Sequence, residues 1–121
     1  MKYSNTLLPL FLITACSSFN EAGTGNEIVY INNGAIQCES KGLSETETAQ
    51  TLINEGIDVL KSQCAHMTGI AVATQCGLGG TNINLHTINT QNLSDAKAVG
   101  FLSISDLKNG DDPGYKIIDC R

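Results

Sequence analysis

Apolar residues recur along positions 27–118 with two spacings, one of two residues and one of three to four. Glu27-Ile28-Val29-Tyr30-Ile31 is β-branched and aromatic, which predicts a strand. Asn32-Asn33-Gly34 predicts a turn, because Asn and Gly tolerate positive φ. Ala35-Ile36-Gln37-Cys38 reads as a returning strand or as the first strand continued past a bulge. Ser44 with Glu47 three residues later is a capping box, opening a helix whose inner face carries Ala49, Leu52 and Ile53 and which Gly56 ends. Ile57 and Val59 alternate around Asp58 in a strand running to Cys64. Further on, Ile83, Leu85 and Thr87 alternate with Asn82, Asn84 and His86, the pattern of a strand with one buried and one polar, solvated face. Residues 91–99 predict a second helix, with Leu93 and Ala96 inward and Gly100 as its stop. Phe101-Leu102-Ser103-Ile104 then reads as a strand, residues 109–114 as a turn, and residues 115–120 as a final C-terminal strand.

Two stretches superimpose in this pattern. Thr48, Leu52, Gly56 and Ile57 match Asn92, Ala96, Gly100 and Phe101 at the same internal spacing. One helix-then-strand unit used twice, each time after a strand, predicts an α+β fold, a small ferredoxin-like βαββαβ two-layer sandwich. The segment from Cys64 to Gly80 becomes the hinge between the halves. Within it, Ile70-Ala71-Val72-Ala73-Thr74 is surplus to the fold and predicts an extra hairpin strand against residues 82–88, turning at Gly77-Leu78-Gly79-Gly80.

The first residues change the picture from fold to location. Lys2, an apolar run from Leu7 to Ile13 and the small residues Thr14 and Ala15 make residues 1–15 a secretory signal peptide, too short in its apolar part to span a bilayer as a helix. Ile13-Thr14-Ala15-Cys16 resembles the bacterial lipobox, which implies lipidation of Cys16, and Ser17 after it implies outer-membrane sorting facing the periplasm. A lipid there would hold the protein at a membrane surface. Residues 16–26 read as a flexible tether, and residues 27–121 as a single domain. The formal charge of the whole chain is −5, and no basic run exists, which argues against nucleic-acid binding.

Five Cys include Cys16, leaving Cys38, Cys64, Cys76 and Cys120 for two disulfides in an exported chain, with three possible connectivities. The short Cys64–Cys76 loop favours that pair, leaving Cys38–Cys120 to tie the first strand to the last. Cys64, His66, Met67, Cys76 and His86 are soft donors that would suit copper, but no zinc-type spacing accompanies them. The expectation is therefore no metal and no cofactor. The glycines at 77, 79 and 80 precede a strand and lack a following Lys-Ser/Thr, so they make a turn rather than a phosphate loop. No nucleophile–base pair stands out, which leans away from an enzyme.

Gln37-Cys38-Glu39, the helix ending at Gly56-Ile57, Ser62-Gln63-Cys64, Gln75-Cys76-Gly77, the Ile83–Ile88 strand and Ala96…Gly100-Phe101 together resemble a group of small exported bacterial proteins with cysteine-containing domains, over about residues 28–104. That resemblance implies no activity and no site residues. The helix–Gly–strand units are also similar in outline to the SPOR domains that bind peptidoglycan glycan strands, without that family's diagnostic motif. The expected function is a membrane-anchored binding module of the cell envelope, with an envelope protein or peptidoglycan as partner. Its expected surface is the polar strand face carrying Asn82, Asn84 and His86. The rival is a periplasmic metal-handling protein or enzyme using His66, Met67 and His86.

Overall fold

The structure, a computed structural model, describes residues 25–121. The expected signal peptide, Cys16 and most of the expected tether lie outside the described residues. Among the described residues no helix is long and apolar enough to cross a membrane.

Five strands form one antiparallel sheet: β1 (Asn26–Asn32), β2 (Lys61–Met67), β3 (Asn82–Asn89), β4 (Leu102–Ser103) and β5 (Tyr115–Ile118), in the order β4-β1-β3-β2-β5. Helix α1 (Glu45–Asn54) follows β1, and helix α2 (Leu93–Ala98) follows β3. The protein is thus a mixed α+β domain with two disulfides.

Side-chain alternation along β3 divides the core in two. On one face Val29, Ile88 and Phe101 pack with Leu52, Ile57 and Ala96 from the two helical units. On the other, Tyr30, Ala65, Ile83 and Leu85 are covered by Ile104 and Leu107 of a short 3-10 turn and by Tyr115. The strand is therefore buried on both sides along much of its length.

The capping box forms as read: the Glu47 amide donates to Ser44 Oγ at 3.1 Å, and the Ser44 amide to Glu47 Oε2 at 2.7 Å. Both helices also end alike. Ile57 donates back to Leu52 O and Phe101 back to Ala96 O, each at 3.1 Å, across Gly56 and Gly100 in positive φ. This is the Schellman closure, and it delivers the next apolar residue into the core. The repeat in the sequence is a repeat in structure at these two points.

Several expectations need correction. Residues 70–74 form no strand; they lie exposed in the long connection between β2 and β3. Residues 35–38 likewise form no strand but a turn bridged to Ser40 and Gly79. The run expected from Ile57 onward becomes a strand only at Lys61, and the one expected from Phe101 is two residues long.

The disulfides also pair otherwise than expected: Cys38–Cys76 and Cys64–Cys120, not Cys64–Cys76 and Cys38–Cys120. The reason is register. Cys64 sits mid-strand opposite Ile118 of β5, so Cys120, two residues further on, shares its face and reaches it. Cys76 lies out in the β2–β3 connection, which is laced to the 35–40 turn by Gln37 N–H to Leu78 O and Gly77 N–H to Gln37 O. The Gln37 side chain adds bonds to Ala73 O, Gly79 O and the Gln75 amide. By the chain-entropy estimate each closure is worth roughly 4 kcal/mol. Disulfides of this kind belong to an oxidising environment, as met by exported proteins.

Candidate functional site

Where β1 ends at Asn32, the chain turns through residues 33–44 to reach α1. Gly42 has φ +73°, and a Cβ there would run into Asn33 O and approach Ala35 N to 2.6 Å, so only glycine lets this turn close. The tight turn leaves an open groove of about 580 Å³ beneath the first turn of α1. Its lining includes Lys41, Glu45, Asn84, Cys64, Cys120 and Arg121. Thus α1, β2, β3 and the segment after β5 all contribute, and the Cys64–Cys120 bond forms one wall. Asn26 pairs with Asn89 at one end of β1, while Asn32 pairs with Ile83 beside the groove at the other. The chain therefore enters the domain at the opposite end from the groove, roughly 20 Å away for a strand of this length.

The face expected to be solvated is for the most part covered. Asn82 is exposed, but Asn84 and His86 are buried, at 3% and 0% exposure. Helix α1 lies over them and brings Thr48, itself buried, as their partner. Asn84 Nδ2 donates to Leu43 O at 3.0 Å and to Thr48 Oγ1 at 3.2 Å. His86 Nε2 lies 2.8 Å from Thr48 Oγ1, and Nδ1 lies 2.8 Å from Ser62 Oγ across the strand pair. The ring also meets Phe101 edge-on at 5.8 Å. Burial pushes the imidazole down to about 4, outweighing the opposing pull of the Glu45 carboxylate, so His86 is neutral at pH 7. Asn82 and Asn84 line the groove; His86 does not.

Ser62 and His86 do make a hydroxyl–imidazole pair that the sequence did not announce. A base of this basicity is poorly matched to activating a serine near neutral pH. The pair instead spans two strands as a polar rivet, with Thr48 completing it.

The metal reading loses its geometry. Register puts His66 opposite Asn82 and His86 opposite Ser62, four residues apart along β2, while Met67 alternates to the other face. His66, Met67 and His86 therefore do not converge. Glu45, Cys64 and Cys120 do bring ligand-type atoms within 4.8 Å of one another, but both sulfurs are spent in the disulfide and offer no thiolate.

Compared with known protein families, with curated proteins and with solved structures, the chain matches none of them. What the groove does must therefore be argued from its own atoms. Lys41 and Arg121 bring positive charge to it, and Glu45, Glu47 and Asp119 bring negative charge. It is suited to a polar ligand carrying both signs, and the exposed Leu43 offers an apolar contact beside them.

Proposed function

We propose that the protein is an exported binding module of the bacterial cell envelope, anchored by a lipid on Cys16 and recognising peptidoglycan or an envelope protein through the groove under α1. The observation that carries this reading is the groove itself: four separate elements converge on it, and a disulfide fixes one wall. Its position supports the reading too, since the chain enters β1 at the end away from the groove. For the frame, the order β4-β1-β3-β2, with one helix after β1 and another after β3, supports a ferredoxin-like split βαβ arrangement, to which β5 adds an edge. The lipobox pattern at Ile13-Thr14-Ala15-Cys16 supports the anchor, and Ser17 supports outer-membrane sorting.

The test uses the full chain in two steps. Cys16→Ser should move the protein out of the membrane fraction or leave it unprocessed; unchanged partition with normal maturation removes the anchor from the proposal. The purified protein should then be retained on peptidoglycan sacculi or by one envelope protein, and retention should fall about tenfold in the rim variant Lys41→Glu/Arg121→Glu. Retention that the rim variant leaves untouched would separate the binding from the groove.

A further inference from the structure

We infer that the groove receives a primary ammonium group, held between Glu45 and Asn84 against the Cys64–Cys120 disulfide, with an acidic end of the same ligand directed toward Lys41 and Arg121. This deepens the reading above and rests on it for the choice of site.

The argument starts from the orientation of one amide. Leu43 O carries no hydrogen, so the atom of Asn84 facing it at 3.0 Å must be the nitrogen. The oxygen of Asn84 therefore faces the other way, with Cys64 Sγ at 3.9 Å. That sulfur is bonded to Cys120 and has no proton to give. Among the described residues Asn84 Oδ1 thus receives no hydrogen, although the residue is only 3% exposed. Buried acceptors left in this state are uncommon in folded proteins.

A second acceptor meets the same sulfur. Glu45 Oε2 lies 3.7 Å from Cys64 Sγ, where again no proton is available, and Glu45 has no cationic partner among the described residues. An amide oxygen and a carboxylate, one buried and one half-buried, are thus arranged around one proton-free sulfur in the wall of the groove. A ligand that replaces water at this arrangement is best matched if it brings hydrogens and positive charge. A primary ammonium brings three N–H groups on a compact charge, enough for both oxygens. A hard divalent cation would want six or more oxygen ligands, and a soft one would want thiolates, which the disulfide has consumed. The cationic side chains of Lys41 and Arg121 line the same groove and suit the acidic end of a ligand. Its volume of about 580 Å³ lies within the range of small-molecule sites.

The test is a titration of the full chain, isotope-labelled and oxidised, with n-butylamine, butyrate, 6-aminohexanoate and calcium chloride, followed by amide NMR. The two amines should shift the Asn84 side-chain amide and the Glu45 backbone amide, and 6-aminohexanoate should bind several-fold more tightly than n-butylamine. Glu45→Gln should weaken both amines about tenfold at unchanged thermal midpoint. Lys41→Ala/Arg121→Ala should bring 6-aminohexanoate down to the level of n-butylamine. The inference is overturned if neither amine shifts these signals, if Glu45→Gln leaves their binding unchanged, or if butyrate or calcium alone reproduces the shifts. Should the amines fail while sacculi or an envelope protein are still retained in a rim-dependent way, the ammonium falls and the envelope-binding reading stands.

Discussion

Helices α1 and α2 reach their glycines through the same backbone closure, Ile57 to Leu52 O and Phe101 to Ala96 O, but their opposite ends have little in common. Helix α1 is ten residues long, opens on a capping box, and carries the Thr48 hydroxyl into a buried polar layer. Helix α2 is six residues long, is entered through a 3-10 turn capped by Asn89, and buries only Ala96 of its own residues. Leu93 packs half-buried against the same core, and the largest apolar side chain of this unit is Phe101, just past the glycine. The shared ends build the core, and the unlike ends divide the labour. The first turn of α1, through Glu45 and Glu47, lines the groove.

If the core contribution of the second unit is concentrated in Phe101, Phe101→Ala should be the most damaging change in either unit, costing about 3–5 kcal/mol. Ile57→Ala, its counterpart, should cost less, nearer 2–3 kcal/mol. Urea unfolding of both variants decides this, and equal losses would mean that the two units share the core evenly.

The polar layer under α1 ties that unit to the protonation of His86. The folded-state pKa of His86, about 4, lies below the ordinary 6.5, so the unfolded chain binds the proton more readily. The contribution of His86 is then fully present above about pH 6.5 and is lost as pH falls through about 4, to a total of up to about 3 kcal/mol. Denaturation midpoints at pH 7 and pH 4.5 should differ accordingly, and His86→Gln should flatten the difference. A variant as acid-sensitive as the parent would place the dependence elsewhere.

The smallest effects test the likeness itself. Gly56→Ala and Gly100→Ala should each cost about 1–2 kcal/mol, because both positions hold positive φ. A Cβ meets nothing within 4 Å at Gly56 and only Ile31 Cδ1 at 4.0 Å at Gly100, so backbone conformation alone sets both costs. Thermal unfolding should place the two variants close together; a wide gap would show that the closures differ in more than sequence.

Local signals carried much of this to the eye of a sequence reader. The capping box at Ser44, the stops at Gly56 and Gly100, and the alternation along β3 each depend on a few adjacent residues. The inner face of α1 was legible except for its rotation: Thr48 is buried, while Ile53 remains 49% exposed. The polar alternation of Asn84 and His86 pointed outward only so long as Thr48 was not seen as their partner 36 and 38 residues away. A threonine one turn before Leu52 on the buried stripe was the available clue. The disulfide pairing had no local clue, because it depends on the alignment of β2 with β5 and on the lacing of two loops by Gln37. Of the groove, Asn82 and Asn84 were legible; Lys41 and Glu45 reach it through the turn that Gly42 permits, and Arg121 follows Cys120 in its disulfide to β2.

That the chain enters beside Asn89 while the segment after β5 lines the groove has a practical side for anyone handling the protein. A fusion or surface coupling placed ahead of Gly25 leaves from the far end of the sheet and keeps the groove open to solution. A purification tag joined after Arg121 would leave from the groove wall itself, two residues past a cysteine in covalent register with β2. Sensor chips and affinity columns should therefore carry the protein by its leading end, and a failed capture from the trailing end would speak of blocked access before it spoke of affinity.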